Sequence, residues 1–230
     1  MAAALVLTGV HSAAWAASAA ETVIYSFTGG NSYSGAYPSA LIAVGGTFFG
    51  ETYYGGLGYG SVFSVTPSGQ QTVLYNFLGG SDGEGPNGGL LNVDGVLYGA
   101  TEYGGEHNYG TVFRLLRDGT KQTIHSFGAY RSDARNPAAS LIAVNGTFYG
   151  TGVNGGAYGA IYSIAPDGTE AVFHSFDGAV DGAFPEAPFS PSPDPFTARP
   201  PEAESPAGVP YSASRSRAPP APPMGAWYRR

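Results

Sequence analysis

Residues 89–127 read GLLNVDGVLYGATEYGGEHNYGTVFRLLRDGTKQTIHSF, and this stretch decides the fold. Gly89–Val93, Val96–Thr101, Gly110–Leu115 and Gln122–Phe127 are apolar runs of strand length, parted by segments rich in Gly and Asp. Asp94-Gly95 and Asp118-Gly119 sit where hairpins must turn, because glycine adopts the positive φ of a tight turn at little cost. Short runs rich in aromatic and β-branched residues predict four antiparallel strands.

The stretch has copies on both sides. Tyr25-Ser26-Phe27, Tyr75-Asn76-Phe77, His125-Ser126-Phe127 and His174-Ser175-Phe176 follow at steps of 50, 50 and 49 residues. The diglycines Gly55-Gly56, Gly104-Gly105 and Gly155-Gly156 keep the same phase, as do Pro38, Pro86, Pro137 and Pro185. Four strands in about 50 residues is the size of a kelch-like propeller blade. The expected fold is therefore all-β, an incomplete β-propeller of four-stranded antiparallel blades. Three blades are complete, Ser39–Phe77, Asn87–Phe127 and Ala138–Phe176, and Glu21–Phe27 is a lone outer-type strand ahead of them. Runs such as Val73-Leu74-Tyr75 and Leu141-Ile142-Ala143-Val144 are apolar on both faces, as middle blades covered on both sides require. Gly60, Gly110 and Gly159 before each third strand, and Gly50, Gly99 and Gly150 in each second one, are expected where backbones approach too closely for a side chain. Three blades fall short of the roughly four to eight of a closed ring. The open edge after Phe176 is thus expected to invite self-association.

Composition narrows the function. With 36 Gly, 18 Pro and only 12% charged residues in 230, neither a polar disordered chain nor a helical bundle fits. There is no cysteine, which removes disulfides, thiolate metal sites and cysteine nucleophiles. Residues 21–189 carry fourteen Asp and Glu against five Lys and Arg, an acidic body that repels phosphate backbones and disfavours nucleic acid. No apolar run is long enough to cross a bilayer as a helix. Residues 1–20 read as an export signal, with an apolar Ala2–Val10 and an A-x-A site at Ala17-Ser18-Ala19, though without a basic start; the competing expectation is a buried strand or helix. Secretion or cell-surface display, in an extracellular or periplasmic setting, is the expected localisation.

The repeat domain is placed at 21–188. Residues 189–230 turn to Pro, Ala, Ser and Arg with no strand pattern, the composition of a disordered tail. The genetic code suggests another origin for them. Joining the last base of each codon to the first two of the next permits Tyr-Gly-Thr-Thr from Phe196 to Pro200, three glycines from Pro201 to Glu204, and Gly-Thr-Val-Phe-Ser-Val from Gly208 to Ser214. That string matches a blade, and the shifted Tyr and Val stand 14 residues apart, as Tyr98 and Val112 do. A fourth blade read out of frame from near Pro185 to Ser190 is the resulting expectation.

The shared pattern L-Y-G-x-T-x-x-G-G, then Y-G-T-V-F, then a strand ending in Ser-Phe or Asn-Phe with D-G-x-x-P after it, resembles the GloVer (Gloeobacter/Verrucomicrobia) tandem repeat of choice-of-anchor bacterial surface proteins. About three and a half units, over residues 21 to about 188, carry the likeness. It implies an exported repeat protein and brings no catalytic residues with it. Departures are Gly152, near the place of Thr101, and Asp133-Ala134-Arg135-Asn136-Pro137 in place of D-G-x-x-P.

Two sets of residues are candidates for ligand binding. Asp82, Asp133 and Asp181 occupy equivalent loops, where they could form a ring for Ca²⁺ or sugar hydroxyls; the plainer expectation is an Asx-turn at each. Tyr53 and Tyr103, with Tyr54, Tyr59, Tyr109 and Tyr158, flank the diglycine turns, where exposed rings can stack on sugars or simply pack the rim. His125 and His174 replace Tyr75 at one repeat position, which points to packing rather than catalysis. Asn145-Gly146-Thr147 matches a glycosylation sequon at a hairpin that needs Asn-Gly in any case. No phosphate-cradling loop, nucleophile elbow or zinc-protease motif is present, and no catalytic residue, cofactor or metal is expected. The expected function is a non-enzymatic binding or structural module for an extracellular glycan or protein. The alternative is a fragment of a propeller-type polysaccharide hydrolase or lyase, which would need paired carboxylates facing one cavity.

Overall fold

The computed structural model describes residues 3–4, 21–29 and 35–186. The chain divides into two units, Met1–Pro191 and Ser192–Arg230, and every described residue belongs to the first. The frame-shifted blade expected in the tail, and all of the expected export signal except Ala3–Ala4, lie outside the described residues.

Three antiparallel sheets follow one another along the chain. The first contains β3 (Ala36–Pro38), β4 (Ile42–Val44), β5 (Thr47–Tyr54), β6 (Ser61–Val65) and β7 (Gln71–Asn76). The second contains β8 (Glu84–Pro86), β9 (Leu91–Val93), β10 (Val96–Tyr103), β11 (Thr111–Leu115) and β12 (Lys121–Ser126). The third contains β13 (Ala134–Pro137), β14 (Ile142–Val144), β15 (Thr147–Gly155), β16 (Ala160–Ile164) and β17 (Glu170–Ser175). In each, two short strands share the innermost rank against one long second strand, and the third and fourth ranks follow outward. The result is three four-rank blades that do not close a ring. Ahead of them β1 (Ala3–Ala4) pairs with β2 (Ser26–Phe27).

Two boundaries differ from expectation. Each blade begins three or four residues earlier than the apolar pattern suggests, at Ala36, Glu84 and Ala134, because the proline loops pair with the end of the second strand: Pro38 faces Thr52, Pro86 faces Thr101 and Pro137 faces Gly152. Proline is tolerated there because its strand lies at the sheet edge. The lone N-terminal strand shortens to Ser26–Phe27, for which Ala3–Ala4 is the pairing partner.

Turn chemistry sets the register. The hairpins joining the first and second ranks turn on Gly45-Gly46, Asp94-Gly95 and Asn145-Gly146, with both residues at φ between 51° and 83°. This is the primed two-residue turn whose twist matches the strands it joins. The third-to-fourth-rank pairing shifts by one residue between Val62 and Phe63, between Val112 and Phe113, and between Ile161 and Tyr162. That bulge accounts for part of the unbroken apolar run at Val73-Leu74-Tyr75, since the extra residue breaks strict alternation.

The core lies between blades rather than within them. Val62, Phe77, Leu90, Leu97, Phe113 and Leu115 form one buried cluster across the first junction. Phe127, Leu141, Phe148, Tyr162 and Ile164 anchor the second. Phe27, Phe63 and Val65 form a third where the N-terminal segment covers the first blade. Glycine makes this approach possible: a Cβ on Gly50, Gly99 or Gly150 would stand within 2.8 Å of the ring of Phe63, Phe113 or Tyr162. A Cβ on Gly60, Gly110 or Gly159 would meet Pro86, Pro137 or Pro185 of the following repeat at 2.5–2.7 Å. Sheets one-sided in isolation therefore bury one another, as stacked repeats do.

Candidate functional site

The second strand of each blade ends at the rim in a dipeptide ahead of the diglycine, and there the repeats stop resembling one another. The dipeptide is Tyr53-Tyr54 in the first blade, Glu102-Tyr103 in the second and Val153-Asn154 in the third. An open depression of about 450 Å³ lies between the first two blades, lined by Tyr37, Pro38, Ser39, Tyr53, Tyr54, Asn87 and Glu102. Tyr37 holds a positive φ of 55° and leaves 72% of itself exposed. Its ring meets Tyr54 edge-on at 5.9 Å, and Tyr54 meets Tyr53 at 4.6 Å. Edge-to-face arrangements of this kind are favourable between aromatic quadrupoles and hold the rings without covering their outer faces.

Glu102 organises the polar side. Burial, followed by the adjacent Glu102 charge, pushes the Tyr53 hydroxyl well above its ordinary range. Hydrogen bonding to Glu102 and its charge raise Tyr103 in the same direction. Both phenols therefore stay protonated at neutral pH, with the Glu102 carboxyl beside them. The depression offers apolar ring faces beside phenol donors and one carboxyl group.

Of the two tyrosines named from sequence, Tyr53 lines the depression and Tyr103 does not. Tyr37, Asn87 and Glu102 were not singled out by sequence, although the column Tyr53, Glu102, Val153 was readable as the point where the repeat loses its symmetry. Tyr59, Tyr109 and Tyr158 do something else. Their carbonyls accept hydrogen bonds from the next repeat's Gly85, Asn136 and Phe184 amides at 2.7–3.0 Å, and their rings cover Gly79, Gly128 and Gly178.

Asp82, Asp133 and Asp181 are not brought together; each closes its own loop. Asp82 accepts from the Tyr75 hydroxyl at 2.9 Å, the Leu78 amide at 2.9 Å and the Lys121 ammonium at 2.9 Å. Asp133 accepts from the Tyr130 amide at 2.7 Å, and Asp181 from the Asp177 amide at 2.9 Å and His174 Nε2 at 2.5 Å. Among the described residues no group of three or more His, Asp or Glu stands in position to hold a metal.

Lys121 and Glu170 hold one repeat place on successive blades and act as latches. Lys121 reaches back to Asp82, and its side chain is only 3% exposed. Glu170 reaches back to His125 Nε2 at 3.0 Å and accepts from the Ala134 amide at 2.9 Å.

Glu51 is the other departure from the repeat, where Ala100 and Thr151 stand in the later blades. It is fully buried in the first junction, and Oε2 accepts from the Gly89 amide at 2.9 Å while Oε1 has no partner. Burial pushes this carboxyl up to about 8, only partly opposed by the Gly89 hydrogen bond. It is therefore a neutral, buried acid at pH 7.

No curated protein matches the chain. The model of the Gloeobacter/Verrucomicrobia repeat matches residues 12–193, a span that holds all three blades and the N-terminal segment packed on them, and the chain belongs to that family.

Proposed function

We propose that this repeat scaffold is an exported binding module that takes a neutral glycan in the tyrosine-lined depression between its first two blades. One observation carries the reading: Tyr37, Tyr53 and Tyr54 gather with Glu102 and Asn87 at the rim position where the repeat loses its symmetry. Most ring-bearing core positions recur from blade to blade, as the Phe77, Phe127 and Phe176 series does, whereas a ligand site has no reason to recur. Sugar rings offer apolar C–H faces to aromatic rings and hydroxyls to donors and acceptors, and this depression has both. An apolar cleft also opens between the first and second blades along Val44, Phe49, Leu97 and Leu115. Its counterpart between the second and third runs along Val93, Tyr98 and Phe148. Because those clefts repeat, we read them as a consequence of blade packing.

The polysaccharide-cleaving alternative calls for two carboxylates across one cavity. Glu102 is the one carboxylate among the described residues lining the depression, which supports binding over cleavage. A glycan array on the purified chain, followed by calorimetry with the best neutral oligosaccharide, tests the reading. Tyr54→Ala is expected to weaken binding about tenfold or more while leaving the melting midpoint within about 1 °C, since Tyr54 is half exposed. Equal affinity of the wild-type chain and Tyr54→Ala, or no binding to any neutral glycan, would overturn it.

A further inference from the structure

Packing accounts for an apolar cleft between successive blades, but not for the polar side chains that line the first one. That cleft, of about 400 Å³, is bordered by the hairpin glycines Gly45 and Gly95 and shares no residue with the tyrosine-lined depression. Its volume falls in the range of small-ligand pockets. Phe49 and Leu74 of the first blade and Leu97 and Leu115 of the second supply its apolar walls.

Two residues of the lining, Asn92 and Arg117, break the repeat. Asn92 stands where the first and third blades have Ala43 and Ala143, and Arg117 where they have Pro67 and Pro166. The turns that carry the second position are alike in all three blades: the Gly69, Gly119 and Gly168 amides donate to the Thr66, Leu116 and Ala165 carbonyls at 2.9–3.0 Å. Proline at the second place of such a turn presets φ and lowers the entropy of the unfolded chain, a gain that Arg117 forgoes. Asn92 pairs with Leu97 and shares its face of the sheet, toward the first junction. Its Oδ1 is buried and has no hydrogen-bond partner among the described residues. A buried carbonyl left unpaired costs stability that alanine would not forfeit. Both departures from the repeat thus work against the fold, and both lie on one cleft.

Charge says what the cleft would take. Arg117 donates through Nε to the Gly95 carbonyl at 3.3 Å and joins none of the ion pairs among the described residues, which leaves its terminal N–H groups for an anion. No carboxylate is among the described residues lining this cleft. The second cleft differs on both counts: Arg114 there donates to Gln122 Oε1 at 2.7 Å, and Asp167 shares the lining.

We propose that the first inter-blade cleft binds a medium-chain aliphatic hydroxy acid, with its carboxylate on Arg117, its hydroxyl donating to Asn92 Oδ1 and its chain against Phe49, Leu74, Leu97 and Leu115. Guanidinium and carboxylate form charge-assisted hydrogen bonds, and each methylene buried tightens binding about fourfold.

Calorimetry of the full chain with 3-hydroxydecanoate, decanoate and decanol, each below its micelle concentration, tests the assignment. The hydroxy acid is expected to bind tightest, decanoate about threefold more weakly and decanol at least about tenfold more weakly. The decisive variants return each position to the residue of the sister blades. Arg117→Pro should weaken 3-hydroxydecanoate at least about tenfold while raising the melting midpoint by about 1–4 °C. Asn92→Ala should erase the preference for the hydroxy acid over decanoate without lowering the midpoint. No binding of 3-hydroxydecanoate, unchanged affinity in Arg117→Pro, or an undiminished preference for the hydroxyl in Asn92→Ala overturns the proposal. So does a lower midpoint in Arg117→Pro, which would make the arginine a part of the turn.

Discussion

Phe127 and Phe176 are the same residue of successive repeats, forty-nine positions apart; each ring meets the histidine two residues before it, and they differ in what lies on the other side. Phe127 is fully buried with its ring 4.7 Å from Tyr162 of the next blade, while Phe176 is only partly buried and has no ring of a following blade against it among the described residues. The local sequence, His-Ser-Phe, is identical at both. Each blade thus carries the means to bury its neighbour, and the free energy of doing so appears only when the neighbour is there.

That contrast is open to direct attack. Phe127→Ala should cost about 3–5 kcal/mol in chemical denaturation, the transfer and cavity terms of a large buried ring, whereas Phe176→Ala, at a ring only partly buried, should cost about 1–2 kcal/mol. Comparable losses at the two would mean the third blade's outer face is covered.

Glu51 sharpens the comparison from inside a closed junction. Its folded-state value of about 8 exceeds the unfolded 4.5, so the native state holds its proton more tightly. The associated stability is fully present below pH 4.5 and is lost as pH rises through 8, by a total on the order of 5 kcal/mol. Glu51→Gln should flatten that part of the pH–stability curve, and Glu51→Ala, the residue of the second blade, should flatten it too. An unchanged slope in either variant would place the acid in contact with water.

The smallest contrast concerns the latches. Asp82→Asn removes the partner of a nearly covered ammonium and should cost about 1–3 kcal/mol. The same change at Asp181, whose His174 partner is about half exposed, should leave the denaturation midpoint of this chain unmoved.

Much of the fold was legible because its causes are local. Asp94-Gly95 and Asn145-Gly146 specify primed hairpins wherever they stand, and the 50-residue phase carried that reading from one unit to the next. The first strand of each blade was misplaced because Glu84-Gly85-Pro86 has turn composition and becomes a strand only by pairing with Thr101 and Tyr103. The candidate site was half visible. Tyr53 was named from its position beside the diglycine, as was Tyr103, which does not line the depression, but Tyr37 lies 16 residues before Tyr53, and only the pairing of Ala36 with Tyr54 brings it to the same rim. Glu51 had no signal beyond replacing the Ala or Thr of its counterparts.

Period, strand count, turn type and the places that must be glycine follow from the amino-acid sequence alone, since each depends on φ preference and on apolar runs within a few residues. Which aromatic ring is buried, which carboxylate keeps its proton and which tyrosines share one depression were decided by tertiary structure. Those properties depend on what the adjacent blade removes from water, and the same His-Ser-Phe is fully buried at Phe127 and only partly buried at Phe176.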